Sequence, residues 1–110
     1  MSQNKKVLRA RFNEACLERD GHQCRACKAN GRVTRDSLAV HHIVDRHEMP
    51  NGGYVPENGI SLCEPCHRKA EVWHESGKAR SVPGMSPDDL YAMIGSSREK
   101  ALKASEGLSG

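Results

Sequence analysis

The sequence predicts an α+β fold: one small domain of two short strands and a following helix, with a helix before it and helical chain after it. Three observations carry that prediction. At 110 residues the chain is long enough for one ordinary domain and too short for two. Short β-prone runs, "SLAVHHIV" and "ISLC", precede a helical "EPCHRKAEVWHESGK". Four of the five cysteines form two Cys-x-x-Cys pairs, Cys24/Cys27 and Cys63/Cys66, that flank the strands. The expected boundaries are a flexible N-terminus over 1–6, a folded domain over 7–78, and a C-terminal helical extension with a frayed tail over 79–110.

From Val7 to Arg19 the apolar positions Leu8, Phe12, Ala15 and Cys16 recur at helical spacing and give one amphipathic face. Cys16 lies on that stripe and reads as a small core residue. "RDGHQC" stops the helix, with Gly21 suited to a left-handed C-terminal position. The first cysteine pair is expected in a turn, and Asn30-Gly31 marks another. Leu38, Val40, Ile43 and Val44 then predict a strand. Residues 45–59 hold Pro50, Gly52, Gly53, Pro56 and Gly59 and read as a loop of a length usually kept for function.

A second strand, "ISLC", leads into a helix from Glu64 or Pro65, since proline is tolerated in a first turn, and Gly77 ends it. Ser86 as N-cap, Pro87 at the first helical position and Asp88 and Asp89 behind it start another helix, whose Leu90, Tyr91 and Ile94 can dock on the body. The last residues, "GSSREKALKASEGLSG", suggest at most a short polar helix.

Composition sets a stability problem. Aromatic residues make up 4% and apolar residues 36% of the chain. Such a core is thin against roughly 1–2 kcal/mol of backbone entropy per ordered residue. The cysteines supply a staple. No signal peptide or membrane-crossing run is visible, so a reducing cytoplasmic setting is expected, and zinc outranks disulfides. Two Cys-x-x-Cys turns 35 residues apart offer four thiolates, which saturate a tetrahedral structural zinc. Binding of that kind contributes apparent free energies on the order of 10–16 kcal/mol.

The histidines then need a separate account. Cys66 and His67 are adjacent at a helix start, where successive side chains diverge by about 100°. If Cys66 closes the zinc site, His67 faces elsewhere, and Glu71 lies four residues on above the same face. His41 and His42 are neighbours on a strand, so their side chains point to opposite faces and take different partners. One is a metal ligand and the other a base if the strand bends there.

"RDGHQCRAC", "LAVHHIV" and "ENGISLCEPCHRKAE" together resemble the HNH endonuclease family, in the subgroup whose ββα-metal (His-Me finger) core is braced by a zinc on four cysteines. The resemblance covers about residues 16–75 and rests on the order His-His, Asn, Cys-x-x-Cys-His. It implies that His41 is the first ligand of a catalytic ion, His67 the second, His42 the general base, and Asn58 the residue that braces the loop and holds the base. It also implies Mg²⁺ as that ion, or Mn²⁺ or Ni²⁺ in its place, and hydrolysis that leaves 5′ phosphate and 3′ hydroxyl ends. Glu71 either approaches the ion or pairs with Lys69 or Arg68. Arg46 is a candidate phosphate contact, while His47 and His74 are taken as surface residues. A histidine base must be unprotonated, so activity is expected to fall below roughly pH 6 to 6.5.

Net charge is +3, and basic residues cluster at Lys5, Lys6, Arg9 and Arg11, around the first cysteine pair at Arg25, Lys28, Arg32 and Arg35, and at Arg68 and Lys69. The expected partner is double-stranded DNA read with weak sequence specificity, since no helix-turn-helix or finger pattern is visible. No membrane partner is expected, and a protein partner that supplies targeting is allowed for. By resemblance the setting is a bacterial or phage-infected cell. A non-catalytic zinc-knuckle module that binds DNA or RNA explains the cysteines and the charge, but leaves His41, His42, Asn58 and His67 unexplained as a set.

Overall fold

The computed structural model describes residues 5–108. Helix α1 (Lys5–Arg19) is followed by the short α2 (Arg25–Ala29), strand β1 (Ala39–His42), strand β2 (Gly59–Leu62), and helices α3 (Glu64–Glu75), α4 (Pro87–Met93) and α5 (Arg98–Glu106). Between the strands lie three 3₁₀ turns, Arg46–Glu48, Pro50–Gly53 and Pro56–Asn58, so the predicted loop is ordered without long regular structure. This α+β arrangement, two antiparallel strands with a helix directly after them, is the predicted ββα core.

The strands pair with Ala39 opposite Leu62, Val40 opposite Ser61, His41 opposite Ile60 and His42 opposite Gly59. Pairing is shorter than the apolar run suggested. Ser37 stands at φ 53, a left-handed conformation that interrupts the strand on its N-terminal side, and beyond His42 the Ile43 amide still donates to the Asn58 carbonyl at 2.9 Å. Every residue of β2 is buried. The reason is that apolar groups cover both sides of the sheet: Ile43, Ile60, Leu62, Ala70, Leu90 and Ala101 form one cluster, while Phe12, Cys16 and Tyr54 form another with Leu8 and Val40.

Helix α1 buries Phe12 and Cys16, as its periodicity predicts. It begins at Lys5, so Lys5 and Lys6 of the predicted flexible N-terminus are helical, and residues 1–4 of that segment lie outside the described residues. The helix reaches the sheet over Gly59. A Cβ there would stand 2.5 Å from Cζ of Phe12 and 2.6 Å from Sγ of Cys16, closer than real side chains come, so only glycine lets α1 lie this low. Gly21 takes the expected left-handed conformation at φ +67.

One buried carboxylate ties the parts together. Asp20 is 1% exposed and accepts two bonds from Arg19, at 2.8 and 2.9 Å, one from Arg25 at 3.4 Å and one from the Ser61 amide at 2.9 Å. Arg19 also donates to the carbonyls of Pro56 (2.6 Å) and Gly59 (2.7 Å), and Arg25 to that of Met93. The hub therefore joins α1, the first cysteine turn, β2 and α4. A buried charge of this kind depends on its partners, because desolvation is otherwise uncompensated.

The C-terminal chain packs on the body. Ser86 and Asp89 form a reciprocal capping box at α4, which buries Leu90 and Tyr91. The short polar helix expected at the end is α5, with Ala101 and Ser105 buried against the 3₁₀ segment. Asn51 Nδ2 donates to the carbonyls of Ser105 (2.9 Å) and Leu108 (3.2 Å).

Asp20→Ala is expected to lower unfolding free energy by about 3–5 kcal/mol, the usual cost of removing one partner from a buried ion pair. Chemical denaturation at a fixed excess of zinc measures it. A loss under about 1 kcal/mol, the range of exposed pairs, would remove Asp20 as the hub.

Candidate functional site

The four paired cysteines converge. Cys24 is the N-cap of α2, with its sulfur accepting from the Cys27 amide at 3.4 Å, and Cys63 is the N-cap of α3 with Cys66 in the first turn. The first pair thus opens a helix where only a turn was predicted. Both pairs sit at helix N-termini, where the backbone dipole favours thiolates. Cys27 Sγ lies 3.8 Å from Cys63 Sγ and 3.9 Å from Cys66 Sγ, and all four sulfurs fall within 4.8 Å of one another.

Those spacings fit a metal. Zn–S bonds of about 2.3 Å in a tetrahedron put sulfurs about 3.8 Å apart, whereas a disulfide needs about 2.05 Å. Burial, and then its sulfur neighbours, push the Cys66 thiol up, since like charges gathered away from water resist ionisation. A dication offsets that cost, and the set can hold zinc. Cys16 stands outside it: burial pushes its thiol up to about 12 against the pull of Arg19, as suits a core residue.

On α3, His67 turns away from the cysteines as predicted. Glu71 Oε1 lies 3.0 Å from Nε2 of His67 and 3.1 Å from Nδ1 of His41. Cis ligand atoms on an octahedral ion at about 2.1 Å are separated by about 3.0 Å, so these three groups fit one small cation as well as they fit two N–H···O bonds. Hydrogen bonding from His41 holds the Glu71 carboxyl down at about 2, with His67 and His74 adding and burial opposing. Glu71 is therefore an anion facing two imidazoles. Among the described residues its ion pairs are with His41 and His67 and not with Lys69 or Arg68, and Arg68 pairs with Glu64 one turn earlier.

His74 is not the plain surface residue expected. It is half-buried, its ring centroid lies 5.2 Å from that of His41, and its Nε2 is 3.1 Å from the His42 carbonyl oxygen. A carbonyl can only accept, so Nε2 carries the proton of that bond. The spacing 67, 71, 74 puts all three side chains on one face of α3, and that periodicity was the signal available in the sequence. His47 is exposed and lies outside this cluster.

His42 faces the other side of the sheet. Its ring stacks on Phe12 with centroids 4.5 Å apart at 28°, and Tyr54 meets its edge at 5.2 Å and 86°. Neither aromatic was singled out from the sequence as a site residue. Burial first, then the Arg46 cation and His41, push the imidazole down to about 4, so it is neutral at ordinary pH, and its Nε2 is buried without a partner. Asn58, fully buried, fixes the chain beyond it: Oδ1 accepts from the Val44 amide (3.1 Å) and Nδ2 donates to the Val44 carbonyl (3.0 Å). Because His42 ends the strand, it still lines the same solvent-facing depression as His41, His67, Glu71, His74, Asp45 and Arg46. Arg46 donates to the Tyr54 hydroxyl at 3.2 Å.

Stripping metal with a strong chelator is expected to unfold the domain, and Cys27→Ser to do so without chelator, because about 10 kcal/mol or more of binding energy is lost. Far-ultraviolet circular dichroism with metal analysis checks this. A metal-free protein with an unchanged spectrum would contradict it.

Among the described residues no helix is long and apolar enough to cross a membrane. No curated protein and no solved structure matches the chain. Residues 24–72, which carry all four paired cysteines, both strands, His41, His42, Asn58, His67 and Glu71, match the family model described as HNH endonuclease.

Proposed function

We propose that the protein is a metal-dependent endonuclease that hydrolyses phosphodiester bonds of double-stranded DNA with weak sequence specificity. One observation carries this: His42, an imidazole held neutral, and a His-His-Glu cluster line the same depression from opposite faces of one strand end. His41, His67 and Glu71 would hold a divalent ion, Mg²⁺ or Mn²⁺ or Ni²⁺ in its place. Such an ion supplies neutralisation of charge on the scissile phosphate and the leaving 3′ oxygen.

The chain's own groups account for the rest. His42 takes the proton of the attacking water, which its depressed basicity allows because it is already neutral. Phe12 and Tyr54 hold the ring from two directions. Asn58 fixes the backbone two residues beyond the base and so keeps the strand end from drifting. Arg46, exposed at the rim, offers a charge-assisted contact to a phosphate oxygen. The cysteine cluster takes no part in the chemistry, since four thiolates leave zinc no open position.

Incubation of supercoiled plasmid with Mg²⁺ or Mn²⁺ is expected to give nicked product, to stop on chelation, and to slow by about 10² to 10⁴ in His42→Ala, the usual share of general base catalysis. Binding without nicking across several metals would leave a nucleic-acid-binding module instead. The pH profile is the sharper test. The active form of His42 is unprotonated, so the rate falls on the acid side. With its pKa held at about 4, that fall lies well below the pH 6 to 6.5 expected of a free imidazole. Rates measured at saturating metal and falling with a midpoint near 6.5 would show that the base is a solvated histidine.

A further inference from the structure

Beside the histidine depression lies a second one of about 370 Å³, lined by Lys5, Leu8, Arg46, His47, Asn51 and Tyr54. The two share Arg46, so they adjoin at the rim of the site. Among the described residues no acidic side chain lines the second depression. By contrast, the basic surface at the cysteine cluster mixes Arg32, Arg68 and Lys69 with Asp36 and Glu64. Among the described residues helix α1 has no acidic side chain in its first turn either, so none from that turn offsets the positive end of its dipole. Arg9 comes from the same helix. Together with the stronger effect of Arg46, its cation holds the Tyr54 phenol below the usual range. The floor is built rather than loose, since Asn51 is anchored to the end of α5 through Ser105 and Leu108.

We propose that this groove, formed where α1 meets the 3₁₀ segment, binds the DNA backbone beside the scissile phosphate through Lys5, Arg9, Arg46 and His47. It lies partly outside the matched segment, because Lys5, Leu8 and Arg9 precede residue 24. The occupant is a duplex whose strand runs from the groove past Arg46 into the histidine depression. This rests on the nuclease proposal for the identity of the polyanion. The groove itself rests on the uncompensated charge. Exposed Lys and Arg at a backbone release counterions, so their contribution appears as salt dependence, at about 0.9 in the log–log slope per phosphate.

The test uses the full-length zinc-loaded chain and a 20-base-pair duplex followed by fluorescence anisotropy, in a His42→Ala background to prevent cutting. Lys5→Gln with Arg9→Gln is expected to weaken binding about tenfold at moderate salt and to lower the slope by about 2. Arg32→Gln with Lys69→Gln is expected to change neither. Lys5→Gln alone, at a solvent-exposed position, gives about half of the slope change. Equal losses in both double variants would mean diffuse attraction and overturn the groove, as would an unchanged slope in the first or preferential binding of single strands. Cleavage with His42 restored is read separately. A rise in KM with kcat kept supports the groove. If the parent binds and never cuts while the first variant still loses binding, the groove stands and the nuclease proposal falls.

Discussion

The segment between the strands closes on one buried amide. Asn58 accepts from the Val44 amide and from the Tyr91 hydroxyl at 2.8 Å, and donates to the carbonyls of Val44 and Gly53. Its own carbonyl accepts from Ile43 and so extends the strand pairing past His42. Every polar atom of a fully buried side chain is thus matched, and leaving even one unmatched costs about 1–3 kcal/mol. Asn58 therefore sets where the first strand stops, where the second begins and where α4 docks. The two histidines sit at that stop.

The strand end divides the chemistry by alternation. His41 faces α3 and joins two more imidazoles and a carboxylate; His42 faces α1 and joins two aromatic rings. Helix α3 is divided as well. Its N-cap and first turn carry two sulfurs of the cysteine cluster, and the face through His67, Glu71 and His74 looks the other way. Ions of different character can thus sit on one short helix without sharing a ligand, one on soft sulfur and one on nitrogen and oxygen.

Much of this was legible in the sequence because the deciding signals are local. Matched cysteine spacing, adjacent histidines on a β-prone run, and Ser-Pro-Asp-Asp before Leu90 each specify geometry within a few residues. What was missed depends on long-range packing. Phe12 reads only as an apolar helix position, and nothing local says that it meets a ring 30 residues later. Asp20 looks like a turn residue, although its partners come from Arg25 and Ser61. The inner face of α5 was obscure because Ala101 and Ser105 bury themselves by being small, which leaves little apolar signal. His74 was hidden by ambiguity of residue type, since a half-exposed histidine on a helix looks the same whether or not it faces a site.

The close seating of α1 over Gly59 bears on modularity. The matched segment begins at Cys24, yet the wall against which His42 stacks is Phe12, which lies upstream of the match. A graft of the matched stretch into another protein would carry His41, His42, His67 and Glu71 but leave one face of the His42 ring without its Phe12 wall. Its imidazole would lose part of the burial that holds its basicity down. The smallest portable unit of this site is therefore longer than the motif by which it is recognised.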